Sequence, residues 1–116
     1  MRDYFFVYNN KRCYRVFYSE IQYIEAMGKY VKLITGSGTH IASVSIAFAE
    51  SKLPDNNFCR IHKSYIISLR SIKYFDIDLV HIDDQLVLPI GRCFREALLQ
   101  KASAWGKNEH GLDHFG

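Results

Sequence analysis

Apolar and polar positions alternate with a period of two through most of the N-terminal half, the pattern of half-buried strands. In Tyr30 to Thr35, Val31 and Leu33 interleave with Tyr30, Lys32 and Ile34, so one face is clearly apolar. Tyr4 to Tyr8 and Arg12 to Tyr18 are rich in aromatic and β-branched residues, and Asn9-Asn10 between them suits a tight hairpin, because Asn tolerates positive φ. Ile21 to Met27 and Tyr30 to Thr35 are separated by Gly28-Lys29. Gly36-Ser37-Gly38 then turns the chain into a further strand over Thr39 to Ala42.

The period changes at Ser43 to Leu53. Ile46, Ala49 and Leu53 fall on one helical stripe, with Ser43 or Ser45 as N-cap and Pro54-Asp55-Asn56-Asn57 as the stop. Strands are predicted again over Phe58 to Ile61, Tyr65 to Ser68, Ile72 to Ile77, Leu79 to Ile82 and Gln85 to Leu88, the last two joined by Asp83-Asp84. After Pro89 and Gly91, a final helix is predicted from about Arg92 to Ala104, with Phe94, Ala97, Leu98, Ala102 and Trp105 on one side. The pattern predicts one mostly β domain over residues 1–105 and a flexible polar tail over 106–116.

Composition supports a folded core: 48% of the 116 residues are hydrophobic, with eight Phe, eight Tyr and one Trp. No apolar run approaches the ~18–20 residues needed to cross a bilayer. The first residues lack both a long apolar segment and a small-residue cleavage site, so a cytoplasmic protein without membrane contact is expected. Cys13, Cys59 and Cys93 are odd in number and widely spaced, which reads as buried or half-buried free thiols rather than a disulfide framework or metal knuckle.

A net charge of +3 says little by itself; its distribution says more. Asn56 to Phe75 contains no acid but carries Arg60, Lys63, Arg70 and Lys73, and Asp76, Asp78, Asp83 and Asp84 follow at once. Such separation lets one surface be positive and another negative, as a polyanion-binding domain requires, although a solvated mosaic of charges produces the same pattern.

Four stretches in register carry a resemblance. They are Ile21-Gln22-Tyr23-Ile24-Glu25-Ala26-Met27-Gly28-Lys29-Tyr30-Val31-Lys32-Leu33, Phe58-Cys59-Arg60-Ile61-His62-Lys63-Ser64-Tyr65-Ile66-Ile67, Ile72, and Leu88-Pro89-Ile90-Gly91-Arg92. Over roughly residues 4–101 the chain resembles the LytTR family, output domains of bacterial response regulators. The resemblance implies an elongated fold of about ten strands in small antiparallel sheets, with one short helix in the middle and a C-terminal helical turn. It further implies sequence-specific binding of duplex promoter DNA, often at paired direct repeats. A phosphorylatable receiver domain upstream, within a two-component phosphorelay, and a homodimer on DNA are the partners it suggests.

A β domain without a recognition helix must reach the major groove with loops. Three loops carry suitable side chains. In Gly28-Lys29-Tyr30-Val31-Lys32, Lys29 projects from a glycine turn, and the resemblance puts a base contact at Tyr30 or Val31. Alternatively, Tyr30 and Val31 are plain strand residues and Lys29 a solvated lysine. In Arg60-Ile61-His62-Lys63-Ser64, alternation sets Arg60, His62 and Ser64 on one face. Here the resemblance places contacts at His62 and Lys63, and Arg60 is a candidate phosphate contact. A half-buried His62 satisfied by a backbone carbonyl is the competing reading. In Gly91-Arg92-Cys93-Phe94-Arg95, the Arg92 fork can pair with guanine O6 and N7, and Arg95 can meet a phosphate; an ion pair of Arg92 with Glu96 is the alternative.

Enzyme motifs are missing. His62 and Ser64 lack a nucleophile elbow and an orienting acid, the aspartates lack the spacing of a calcium loop, and there is neither a P-loop nor a dinucleotide fingerprint. No catalytic residue, metal or cofactor is therefore expected. Two rival functions remain at this point. One is a small β-barrel stacking single-stranded nucleic acid on Tyr14, Phe17, Tyr30 and Tyr65; the other is a protein-interaction module.

Overall fold

The structure, a computed structural model, describes residues 2–106. Ten strands form three antiparallel sheets, and the molecule is elongated, 52 × 30 × 26 Å. The first sheet is the hairpin β1 (Tyr4–Asn9) and β2 (Arg12–Phe17). The central sheet contains β3 (Ile21–Met27), β4 (Tyr30–Thr35), β5 (Gly38–Ala42), β6 (Phe58–His62) and β7 (Tyr65–Ser68), in the order β5-β4-β3-β7-β6. The third sheet holds β8 (Tyr74–Phe75), β9 (Leu79–His81) and β10 (Val87–Pro89). Two helices complete the fold, α1 (Ile46–Lys52) and α2 (Arg95–Ala102).

The central sheet is covered on both faces. On one side Ile24, Val31, Leu33 and Ile66 meet Val7 and Val16 of the hairpin, with Ile46, Ala49 and Leu53 of α1 packed against them. On the other, Cys59, Ile61 and Ile67 meet Val80, Leu88, Ile90 and Leu98 of the third sheet and α2. This explains the unbroken apolar run Tyr65-Ile66-Ile67: adjacent side chains enter opposite cores. In β3, a register shift between Ile21 and Tyr23 puts Ile21 and Ile24 in the same core although they are three residues apart.

Most predicted elements are found, with instructive differences at their ends. Asn9 pairs with Arg12, so the first hairpin turns on Asn10 and Lys11, both at positive φ, one residue later than Asn9-Asn10. Ser45, not Ser43, caps α1 by accepting the Phe48 N–H at 3.0 Å. The strand expected over Ile72 to Ile77 shrinks to Tyr74–Phe75. A 3-10 turn over Leu69–Ser71 precedes it, and the Asp76 carboxylate ends it by accepting the Asp78 and Leu79 N–H groups. Asp83 does the same for Gln85 and Leu86 in the next turn. These backbone donors favour the charged forms, so both carboxyls are held below the usual aspartate range. The acidic run is thus turn chemistry plus two ion pairs, Lys73–Asp84 and Arg95–Asp78.

The final helix departs furthest from expectation. Arg92–Phe94 is a 3-10 turn, α2 ends at Ala102, and Ser103 at a φ of 53° turns the chain away. Trp105, expected on the inner side, is consequently 96% exposed, and Ala97 is exposed as well. Cys13 and Cys93 are exposed free thiols, correcting the expectation of burial; only Cys59 is buried, and its burial raises the thiol pKa. The tail expected to be flexible, apart from Gly106, lies outside the described residues.

Candidate nucleic-acid interface

Antiparallel pairing decides which turns share an edge. β3 pairs with β7 through Glu25 and Tyr65, so the β3–β4 turn and the β6–β7 turn leave the same end of the central sheet. A hydrogen bond from Ala26 N to Ser64 O, 2.8 Å, ties them directly. Gly91 N donates to Ile61 O at 2.8 Å, laying the Gly91-Arg92 segment beside the outer strand β6. Lys29, Lys63 and Arg92 therefore stand along one end of the molecule. At ~4.8 Å per strand spacing they span roughly 15–20 Å, less than the ~34 Å of one turn of B-form DNA. The connection from β5 to α1 begins at the same end, because Ala42 pairs with Val31. The exposed Ser43 thus joins the edge, which only the strand pairing reveals.

The β3–β4 turn is a two-residue loop between Met27 and Tyr30, with Gly28 at a φ of 65°, a backbone conformation that costs glycine little and strains a residue with a Cβ. Lys29 at its tip is exposed, whereas Tyr30 and Lys32 are half-buried. Val31 is only 1% exposed. Its side chain belongs to the first core, the plain-strand alternative of the sequence reading, and would reach a base only if the sheet unpacked.

Arg60, an expected phosphate contact, is engaged within the protein. Its guanidinium pairs with Glu50 of α1 at 3.1 Å, donates to His62 O at 3.2 Å and Lys63 O at 2.7 Å, and lies over the Phe94 ring. These charge-assisted bonds engage all three guanidinium nitrogens and fix the β6–β7 turn. His62 Nδ1 accepts the Ser64 N–H at 3.1 Å, so the ring caps the turn, and among the described residues no backbone carbonyl is its partner. Lys63 projects into solvent. Arg95, expected at a phosphate, is instead paired with Asp78 at 3.0 Å. Arg92 is exposed, and among the described residues neither the alternative pair with Glu96 nor any other ion pair holds it.

Gly91 is set by space rather than conformation, since its φ of −71° suits any residue. A Cβ there would lie 3.0 Å from Phe94 Cδ2 and 3.7 Å from His62 Cα. Gly91→Val should therefore destabilise the fold by about 1–3 kcal/mol through overpacking. Thermal denaturation checks this.

The aromatic residues do not form a stacking platform. Tyr14 packs against His40, Phe17 against Tyr4, and Tyr65 between Tyr23 and His62, so the set is divided between two sheets. Among the described residues no helix is long and apolar enough to cross a membrane.

Comparison with known proteins agrees with this geometry. The solved LytTr DNA-binding domain of a methyl-accepting/DNA response regulator from Bacillus cereus superimposes with a TM-score of 0.75 at 21% identity, over 87% of this chain and 97% of that one. A CO-responsive transcriptional regulator, RcoM of Rhodospirillum rubrum, is 34% identical over 53 residues, covering 46% of this chain and 22% of the relative. The heme-containing CO-sensing transcriptional regulator RcoM 1 of Paraburkholderia xenovorans is 26% identical over 82 residues, 71% of this chain and 29% of that protein. The chain thus spans under a third of the length of the curated relatives it matches. The family model for the LytTr DNA-binding domain matches residues 11–103, from the second strand through the last helix, and the chain belongs to that family of DNA-binding domains.

Proposed function

We propose that the edge formed by Lys29, Lys63, Ser64 and Arg92 is where this domain grips duplex promoter DNA in a sequence-specific way. The observation that carries the reading is the alignment of three chain-distant turns, each tipped by an exposed cation without an acidic partner among the described residues. Lys29, Lys63 and the Ser64 and Ser43 hydroxyls contact phosphates and set register, while Arg92 reads a base edge. Tyr30, Lys32 and His62 flank these contacts. Arg60 and Arg95 act from behind, bracing the turns.

The domain works by binding rather than catalysis, as the output part of a cytoplasmic transcription regulator. The relatives' names pair such domains with a response regulator or with CO sensing, which supports an input domain, such as a receiver in a two-component phosphorelay, controlling this one. Two copies on paired direct repeats would reinforce each other.

Retention of double- against single-stranded oligonucleotides at moderate salt tests the reading, with duplex preference expected. Lys63→Ala should weaken binding to every duplex alike and lower the slope of log K against log salt by about 0.9. An unchanged slope would remove Lys63 from the phosphate contacts.

A further inference from the structure

A cavity of about 520 Å³ opens between the first hairpin, α1 and the central sheet, and reaches Ser43 at the edge assigned to DNA. Its floor is apolar: the buried Val7, Ile24, Val31 and Leu33 back it, and the exposed Phe6, Tyr8 and Phe48 supply the apolar surface open to a ligand. Its rim is exposed and includes Phe48, Arg2 and Lys52. Among the described residues no carboxylate lines it. Neither rim cation has an acidic partner among the described residues; Lys52 rests over the Phe48 ring and Arg2 over Tyr4. β1 closes one wall with Phe5 and Val7.

We propose that this cavity binds an amphiphilic acid: an apolar chain or ring fills the floor while its carboxylate lies between Arg2 and Lys52. The volume falls within the ~300–1,000 Å³ range of small-molecule sites. An apolar floor gains from excluding water, and two cations unopposed by an acid select the anionic head over a neutral one. A wholly apolar ligand would leave that positive rim uncompensated, and a polar one would waste the floor.

Titration of the folded chain with decanoate, with decanol as a neutral counterpart of equal chain length, tests the proposal by calorimetry and thermal melting. Decanoate is expected to bind saturably, one per chain, and to raise the melting temperature, while decanol binds about tenfold or more weakly. Lys52→Ala and Arg2→Ala should each weaken decanoate about threefold or more and leave decanol unaffected. Ala49→Phe, which projects a ring into the cavity, should abolish both. Should Ala49→Phe fail to fold, the exposed Lys52→Glu carries the test, losing decanoate while the ligand-free melting curve stays in place. Absence of saturable binding, equal affinity for the two probes, or decanoate affinity indifferent to both cations would overturn the proposal. So would a sedimenting dimer that Phe48→Ser dissolves, since the cavity would then receive a second copy of the chain.

Discussion

Arg92→Ala should leave the domain folded and still able to bind DNA, but erase most of its preference among sequences. The side chain is exposed and makes no ion pair among the described residues, so its removal breaks no intramolecular contact of that kind. Its place is nevertheless fixed. Gly91 is hydrogen-bonded to Ile61 O, and Phe94 N closes the 3-10 turn onto Gly91 O at 2.9 Å, so the residue between them has little backbone freedom. A guanidinium presented on a rigid turn suits bidentate recognition of guanine, worth about 1–3 kcal/mol against the wrong base. The expected result is a loss of roughly 5- to 150-fold in the ratio of specific to non-specific affinity. Affinity for arbitrary duplex should fall only by the share of one charge. Selection from random duplexes, followed by footprinting of wild type and variant, checks this; undiminished selectivity would exclude Arg92 as the reader.

Ile67→Ala should be among the most damaging single substitutions for stability. Ile67 is fully buried, and β7 is paired on both sides, to Tyr23 of β3 and Cys59 of β6. Its side chain faces the core that fastens the third sheet and α2 to the central sheet. Truncation removes three carbons where neighbours from three elements meet, and strands held by two ladders cannot move in to close the gap. A loss of about 2–5 kcal/mol is expected, a large share of the ~5–15 kcal/mol that holds a typical domain together. Ile67→Val should cost only about 0.5–1.5 kcal/mol. Denaturant unfolding of the three proteins gives the answer, and a loss below 1 kcal/mol for the alanine variant would contradict the packing argument. The same core carries Ile90, next to Gly91, so the alanine variant should also bind DNA less well near its melting point.

Strand positions were legible wherever side-chain period and turn chemistry agreed. Tyr30 to Thr35 alternates as read because one of its faces lies on a core and the other is only half covered. Ser45 and the Ile46-Ala49-Leu53 stripe likewise announce a helix of this length. The third sheet was harder to read, because its strands are two or three residues long and end where Asp76 and Asp83 capture backbone donors. The C-terminal helix was overextended for a related reason. Its spacing continues to Trp105, but nothing in a one-dimensional pattern records the left-handed turn at Ser103.

For the candidate site, residue types and turns could be read directly, since Gly28-Lys29, Lys63-Ser64 and Gly91-Arg92 all combine turn formers with cations. Which cations are free to meet a ligand could not. Arg60 and Arg95 look equivalent to Arg92 along the chain, but Glu50 and Asp78, respectively ten and seventeen positions away, occupy them. Val31 reads along the chain either as a base contact or as a plain strand residue, and the hairpin and α1 bury it in a core. The sequence by itself determined the β period, the turns, the first helix and the family. Only the tertiary structure decided which turns lie side by side and which charges are already spoken for, because strand order and ion pairing bring together residues far apart in the chain, and local pattern carries no information about distance.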